Sequence, residues 1–324
     1  MGVPVSSAVL VQNVRKAYDK HVAVEDVSLD VPTGIVFGLL GPNGAGKTTT
    51  IRMIMDIIRP DTGKVAIFGG APSTTTLDGI GYLPEERGLY KKMKVLDVLA
   101  YLGSLKGLEA AEARRRATTW LDKVGLGSWK ERKIEELSKG MAQKVQFVGT
   151  LLHEPKLLIL DEPFSGLDPV NANQLKDLFL EVNRAGATII FSTHMMESAE
   201  KLCRQIALIN KGRVVLEGTL AEVKRRYGRN NVLLEFEGDS GFLKALPEVK
   251  NVDDYGAYSE VMLKDGADPQ GLLAGVAPRV KLRRFEIVEP TLHNIFIQVA
   301  GPDAAEAMKA SQAAADAAMA GATR

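Results

Sequence analysis

The stretch that decides the fold reads Gly41-Pro42-Asn43-Gly44-Ala45-Gly46-Lys47-Thr48, a complete G-x-x-x-x-G-K-[ST] phosphate-binding loop. The apolar run 35–40 comes directly before it and predicts a buried strand, and apolar residues at helical spacing follow it over 51–58. In this setting the backbone N–H groups of the loop and the N-terminus of the helix converge on an anion. We therefore predict that the loop and the adjacent Thr49 bind a nucleoside triphosphate, with Lys47 on its β- and γ-phosphates and the Thr48 hydroxyl on Mg²⁺.

The overall composition is that of an ordinary globular protein, with 45% hydrophobic and 25% charged residues among 324. The net charge of +1 supplies no basic field for a nucleic acid, so no nucleic-acid partner is predicted. No apolar run approaches the roughly 20 residues of a membrane-spanning helix. The one cysteine, Cys203, excludes a disulfide framework within the chain and fits a reducing compartment. We expect a soluble protein of the cytoplasm.

The chain divides into two predicted domains and a tail. Residues 1–227 are expected to form a nucleotide-binding domain of the α/β class, in which a parallel sheet is joined by a small antiparallel part before residue 31 and by a helical insert at about 86–150. Residues 228–300 show strand patterns at 232–236, 252–263 and 280–287, with helices predicted over 242–246 and 269–276. This order favours a small α+β domain of ferredoxin-like type. Residues 301–324 are rich in alanine and are expected to form a marginal helix or a disordered tail.

A second part of the predicted site follows an apolar strand over 157–160, which ends in the carboxylates Asp161 and Glu162. The carboxyl ends of strands are where open α/β sheets bind their ligands. A carboxylate at this edge can hold Mg²⁺ directly or through water, and the next one can polarise an attacking water. With the phosphate loop upstream, the pair predicts nucleotide hydrolysis, with Asp161 on the metal and Glu162 as the catalytic residue.

Further short motifs give the chain a family resemblance. They are the sequence Leu137-Ser138-Lys139-Gly140-Met141, the sequence Ser165-Gly166-Leu167-Asp168, the histidine His194 after the strand 188–191, and the aromatic residue Tyr18. In this order they resemble the signature, the D-loop, the switch histidine and the adenine-stacking aromatic of the ATP-binding subunits of ABC transporters. The resemblance covers residues 9 to about 220 and identifies the first domain as an ABC-type P-loop NTPase.

This resemblance implies a homodimer in which two copies enclose ATP. The signature of one copy would face the γ-phosphate held by the other, with a hydroxyl from Ser138 and a close backbone approach at Gly140. Asp168 would link the two sites across the dimer, and Tyr18 would stack on the adenine. His194 would contact the γ-phosphate and stabilise charge as the phosphate departs.

The sequence departs from the family's pattern at three positions. Lys139 stands for the second glycine of the signature and Met141 for its glutamine, but Ser138 and Gly140 are kept, so we expect activity to survive. Glu85 stands where the family has its Q-loop glutamine. A carboxylate there can still ligate Mg²⁺ or water, and its negative charge beside the triphosphate is expected to tune the metal dependence or the timing of hydrolysis.

Three segments, at 81–90, 137–146 and 290–296, are similar to the ATPase subunits of Nat-type sodium exporters and related efflux systems, which carry a small C-terminal domain. This resemblance implies ATP hydrolysis coupled to the export of sodium, or of a drug or other small molecule, through a separate permease of the ABC-2 type. The subunit would lie on the inner face of the cell membrane and dock to the permease around residues 87–98.

Two other functions are compatible with a phosphate loop. A soluble ABC-type ATPase that acts on ribosomes or DNA would usually fuse two nucleotide domains or carry coiled-coil or zinc insertions, and this sequence has one phosphate loop and one cysteine. A GTP switch is suggested by Asn210-Lys211-Gly212-Arg213, but the aspartate of the guanine-reading motif is missing and a hairpin turn explains the sequence.

Overall fold

The computed structural model describes residues 6–19, 21–86, 88–227, 231–264 and 266–301. The chain folds into two compact units, with the boundary between Gly218 and Thr219. The sequence analysis predicts this boundary after Tyr227. In the structure the boundary lies earlier, and the helix Leu220–Tyr227 groups with the second unit. The alanine-rich tail predicted from residue 301 lies, beyond that residue, outside the described residues. No described helix is both long and apolar enough to span a bilayer.

The first unit contains a large sheet flanked by helices. Its strands are β1 (Ser7–Tyr18), β2 (His21–Pro32), β3 (Val36–Leu40), β4 (Thr62–Ile67), β5 (Ile80–Leu83), β6 (Leu157–Asp161), β7 (Thr188–Thr193), β8 (Gln205–Asn210) and β9 (Arg213–Thr219). Its helices are α1 (Lys47–Ile54), α2 (Thr74–Asp78), α3 (Val95–Leu105), α4 (Ala110–Lys123), α5 (Lys139–Leu151), α6 (Pro169–Arg184) and α7 (Met196–Leu202), with short 3₁₀ helices at Gly127–Trp129 and Ile134–Glu136.

The strands follow the order β4-β1-β2-β9-β8-β3-β7-β6-β5 in one sheet. Strand β1 pairs antiparallel with β2 and β4, whereas β3 pairs parallel with β7 and β8, and β6 pairs parallel with β5 and β7. Strands β3, β6 and β7 are buried at every residue, which explains their almost continuous apolar sequence. The predicted α/β class with an antiparallel part is confirmed. Because parallel strands share a direction, the residues that come after Leu40, Leu160 and Phe191 meet at one edge of the sheet.

The helical layer is built from α3, α4 and α5, which run from Val95 to Leu151 within the stretch predicted as an insert. A glycine lets the first two helices approach closely, because a Cβ at Gly103 would lie only 2.9 Å from the Cβ of Ala113. Phe147 of α5 stacks on Phe179 of α6 with ring centroids 4.9 Å apart. The contact between Phe147 and Phe179 packs α5, which carries the predicted signature at its N-terminus, against α6.

The second unit is a small α+β domain. It contains α8 (Leu220–Tyr227), β10 (Asn231–Glu237), a 3₁₀ helix (Gly241–Ala245), β11 (Val249–Asp254), β12 (Ser259–Leu263), α9 (Pro269–Val276), β13 (Lys281–Val288) and α10 (Leu292–Ala300). The sheet order β11-β12-β10-β13 is antiparallel throughout. This is the strand order of a ferredoxin-like βαββαβ fold, so that prediction is confirmed. The helix predicted over 242–246 is a 3₁₀ turn, and the strand stretch 252–263 belongs to the hairpin β11–β12.

Candidate nucleotide-binding and catalytic site

The phosphate loop joins β3 to α1 at the carboxyl edge of the parallel strands. Gly46 precedes α1 with φ +109°, and a Cβ on it would lie 2.6 Å from the carbonyl oxygen of Ala23. Gly41 has φ +149°, and a Cβ there would overlap the carbonyl oxygen of Ile209. Only glycine fits both the conformation and the space at these two positions. The close approach of the neighbouring backbones therefore accounts for two of the three glycines in the motif.

Lys47 is the buried cation of the site, with only 5% of its surface exposed. Its Nζ donates to the carbonyl oxygens of Gly41 at 2.7 Å and Pro42 at 3.1 Å. It also lies 3.3 Å from Oε1 of Glu162. The ammonium group thus closes the phosphate loop on one side and neutralises a buried carboxylate on the other, and it stands at the N-terminus of α1, where an anion is favoured.

The side chain of Glu162 lies between those of Lys47 and His194. Glu162 directly follows β6, and its backbone is in the left-handed conformation, with φ +46°. Its Oε1 lies 3.1 Å from Nδ1 of His194, and its backbone N–H donates to Oγ of Ser192 at 3.0 Å. Both Glu162 and His194 are almost completely buried. Within the described chain, Nε2 of His194 has no hydrogen-bond partner. The structure therefore brings together the three side chains that the sequence assigned to phosphate binding and hydrolysis.

Asp161 is the strand-end carboxylate that was predicted to hold Mg²⁺. Ser192 donates a hydrogen bond to its Oδ1, and Oδ2 is buried without a hydrogen-bond partner among the described residues. Burial raises the pKa of Asp161 above its usual value, and the Glu162 charge adds to this, while the hydroxyls of Ser192 and Thr48 act against it. An unsatisfied buried oxygen beside a threonine hydroxyl fits Mg²⁺, which takes one or two protein oxygens and completes its shell with phosphates and water.

Glu85 follows β5 and lies at the same edge of the sheet. Its pKa is raised, first by burial and then by the negative charges of Asp161 and Glu162, whereas Lys47 and His194 oppose the shift. The carboxylate at the Q-loop position thus lies near the charges of the catalytic edge, and Glu85 lines the cleft over the phosphate loop.

A cleft of about 440 Å³ opens over the phosphate loop. It is lined by Tyr18, His21, Ala23, Asn43, Gly44, Ala45, Gly46, Lys47, Thr48, Thr49, Glu85 and Glu162. Tyr18 is 45% exposed on one wall, so its ring is available for stacking. Lys16 carries its ammonium 5.7 Å from the centre of this ring.

The signature residues are placed away from this cleft. Ser138 begins α5 as its N-cap and accepts a hydrogen bond from the N–H of Met141 at 3.3 Å. Ser138 and Lys139 are exposed, whereas Gly140 is buried. Asp168 caps α6 and accepts hydrogen bonds from the N–H groups of Val170 and Asn171. None of the predicted signature and D-loop residues is among those that line the cleft of their own copy.

Three residues at or near the site were missed by the sequence analysis. Ser192 donates to the Asp161 carboxylate and accepts from the backbone N–H of Glu162, and it lies directly opposite Asp161 in the β6–β7 register. Gln143 of α5 donates to the carbonyl oxygen of Pro163 at 3.1 Å. His21 lines the cleft near Tyr18. Ser192 lies near the end of a strand that runs parallel to 157–160. This position could have indicated its role, but a search for motifs along the chain does not consider strand pairing.

Comparisons with known proteins agree with this geometry. A sequence model of the ABC transporter family matches residues 24–165, and one of the C-terminal domain of DrrA1-3-like ATP-binding proteins matches residues 218–300. The ABC transporter ATP-binding protein YhaQ of Bacillus subtilis is 42% identical over 291 residues, which is 90% of this chain and 98% of YhaQ. The linearmycin resistance ATP-binding protein LnrL of the same organism is 34% identical over 303 residues, covering 90% of this chain and 97% of LnrL. A solved ATP-binding subunit of an ABC transporter superposes with a TM-score of 0.63 at 34% identity, over 68% of this chain and 94% of the solved one.

Proposed function

This chain belongs to the ABC transporter family as an ATP-binding and ATP-hydrolysing subunit, and we propose that it powers the export of a small organic molecule through a separate membrane permease of the ABC-2 type. Two findings support a small organic molecule as the exported substrate. The relative LnrL is a linearmycin resistance protein, and the second unit matches the C-terminal domain of DrrA1-3-like ATP-binding proteins. Sodium export, the other function predicted from the sequence, stays a prediction. Comparing the efflux of sodium with that of a fluorescent drug from cells that express both subunits distinguishes the two.

The observation that carries the proposal is the buried group formed by Lys47, Glu162 and His194. Two carboxylates, Glu85 and Glu162, line the cleft, and Glu162 is the one that lies beside both Lys47 and His194. Glu162 accepts the proton of the attacking water. Lys47 exchanges its carbonyl partners for phosphate oxygens. A His194 ring protonated on both nitrogens donates from Nδ1 to Glu162 and from Nε2 to the γ-phosphate, which stabilises charge in the transition state.

Mg²⁺ would be held by the Thr48 hydroxyl and by Asp161, with Glu85 binding it directly or through water. When bound, it neutralises charge on the β- and γ-phosphates. Asn43, Gly44 and the backbone of the loop bind the phosphates, and Tyr18 stacks on the adenine.

Each site of the transporter is completed by a second copy. The N-terminus of α5, where Ser138 is exposed and Gly140 is buried beside it, is an anion-binding element that does not reach the cleft of its own copy. In an ATP sandwich it meets the γ-phosphate held by the twin. Asp168, at the exposed start of α6, lies on the same face and links the two sites.

The permease docks on an exposed patch of large hydrophobic side chains that we define as Tyr90, Tyr101 and Leu105. Their exposed fractions are 53%, 41% and 61%, and the two tyrosine rings meet edge to face at 5.7 Å. The patch extends the docking stretch predicted at 87–98, of which Arg87 lies outside the described residues. Tyr90 is five residues after Glu85. A displacement of the patch by the bound permease would therefore be transmitted to the catalytic edge through a short segment of chain. Docking there would hold the subunit at the inner face of the membrane.

Replacing Tyr101 by glutamate is expected to abolish co-purification with the permease and to remove transport, because a charge replaces an apolar anchor. ATP hydrolysis by the detached subunit is expected to persist. Tyr255→Glu is the matched control, since Tyr255 is also exposed and stacks on a second tyrosine, Tyr258. Retention of the permease by Tyr101→Glu would contradict the docking surface, and co-purification of nucleic acid instead of a membrane protein would contradict the transport function.

Replacing Glu85 by glutamine is expected to raise, several-fold, the Mg²⁺ concentration that gives half-maximal ATP hydrolysis. The reason is that one negative charge is removed beside the metal position while the shape of the side chain is kept. Titration of steady-state phosphate release with Mg²⁺ measures the shift, with Glu86→Gln as the neighbouring control. An unchanged rate and an unchanged Mg²⁺ dependence would exclude a metal-related role for Glu85.

A further inference from the structure

We propose that Lys139 is a positioning residue that joins the signature turn (residues 137–141) to the D-loop (residues 165–168) of its own copy, and that it thereby couples the two ATP sites of the dimer. The inference rests on the ATP sandwich proposed above. It assigns a role to the residue that replaces the second glycine of the family's signature, where a glycine has no side chain to make such a contact.

The contact between the two segments lies at Gly166. The Lys139 side chain extends over this residue, so that a Cβ at Gly166 would overlap Lys139 Nζ and lie 2.8 Å from its Cε. Gly166 has φ +66°, a conformation that also favours glycine. The lysine therefore occupies the space that any other residue at position 166 would fill with its own side chain.

A second contact joins the signature turn to the start of α6, directly after the D-loop. Gly140, the next residue of α5, packs against Asn171, because a Cβ there would lie 2.7 Å from Asn171 Nδ2. Asn171 Nδ2 in turn donates to Oδ2 of Asp168 at 2.5 Å. Lys139 thus contacts the D-loop at Gly166, and Gly140 contacts Asn171, which in turn bonds Asp168 of the D-loop.

The D-loop continues directly into the catalytic edge. The N–H of Ser165 donates to the carbonyl oxygen of Glu162 at 3.1 Å, so one tight turn connects the two segments. On the other side of this turn, Gln143 of α5 binds the carbonyl oxygen of Pro163. When the twin's ATP engages Ser138, the displacement of α5 is transmitted through these interactions to Glu162 of the same copy. Each site then responds to the nucleotide of the other.

The test compares Lys139→Gly, Lys139→Met and Lys139→Arg in the full-length chain. Steady-state hydrolysis is measured against ATP concentration, together with thermal unfolding. Lys139→Gly is expected to lower kcat by about threefold or more and to bring the Hill coefficient toward one, with an unchanged unfolding temperature. Lys139→Arg is expected to restore both values, because it keeps the length and the charge. Lys139→Met keeps an unbranched side chain but removes the ammonium group. Loss of cooperativity in this variant would show that the charge of Lys139, and not only its packing on Gly166, is needed for the coupling.

A double-mutant cycle with Gly166→Ala isolates the contact. The added methyl group displaces the lysine and strains the backbone, but only the strain remains in a Lys139→Gly background. We expect Gly166→Ala to reduce kcat less in that background than in the wild type. Additive effects, or a wild-type Hill coefficient in Lys139→Gly, would overturn the inference. ATP-dependent dimerisation of Glu162→Gln tests the sandwich separately, so its failure is distinguishable from failure of the Lys139 role.

Discussion

A Glu162→Gln variant is expected to lose ATP turnover by about 10²- to 10⁴-fold, the range for removal of a general base, while it still binds ATP. The amide keeps the shape of the side chain and a hydrogen bond to His194, but it cannot accept a proton. It also removes the negative charge beside Lys47, so the cleft becomes more positive and the tetra-anionic nucleotide is held longer. The dimer with bound ATP should therefore accumulate.

Phosphate release measures the turnover of this variant, and light scattering with and without Mg-ATP measures its dimerisation. Glu181→Gln is a suitable control because this glutamate is exposed and lies outside the cleft. Substantial turnover by Glu162→Gln would show that another group activates the water. A variant that stays monomeric with Mg-ATP, even with the permease present, would contradict the shared ATP site.

Lys47→Ala is expected to lose ATP binding itself, by about 100-fold or more if two charge-assisted hydrogen bonds to phosphate are removed. The variant should also be less stable without nucleotide. Glu162 is buried beside Lys47, and breaking a buried pair by removing one partner costs about 3–5 kcal/mol. A lower unfolding temperature is therefore expected together with the loss of binding.

Equilibrium binding of a fluorescent ATP analogue and thermal unfolding measure these two effects. Lys64→Ala is the control, since Lys64 is an exposed lysine of β4 that does not line the cleft. Lys47→Arg should recover much of the stability but less of the binding, because the larger guanidinium does not fit the loop carbonyls in the same way. Normal ATP affinity in Lys47→Ala would remove the phosphate loop from the proposed site. The two variants are expected to differ, since Glu162→Gln binds ATP but does not hydrolyse it, whereas Lys47→Ala neither binds nor hydrolyses ATP.

The parts of the site that are continuous in sequence could be predicted from it. The loop 41–48 and the pair Asp161 and Glu162 each combine a strand end with the side chains that act there, so their chemistry follows from local pattern. Ser192 was missed because the two residues are 31 positions apart in the chain and only strand pairing brings Ser192 to Asp161. The contact of Lys139 with Gly166 was missed for the same reason, since it depends on how α5 packs beside the D-loop.

The organisation of the second unit was predicted less completely. The stretch 252–263 has strand-forming residues on both sides of its turn, and only Gly256, with φ +77°, marks the place where the chain reverses. The first boundary residue of this unit is Thr219, because helix α8 groups with the strands that come after it in the chain. Sequence alone does not reveal this, since an amphipathic helix shows that one face is buried but not which domain covers it.

The backbone of Glu162 shows a conflict between folding and chemistry. A residue with a side chain costs about 1–2 kcal/mol in the left-handed region relative to glycine, and Glu162 adopts that region at φ +46°. Selection for thermal robustness alone would favour glycine at this position, whereas an enzyme needs the carboxylate. Gains in heat tolerance for this subunit should therefore be sought at sites remote from residue 162, where no reactive group depends on a disfavoured backbone geometry.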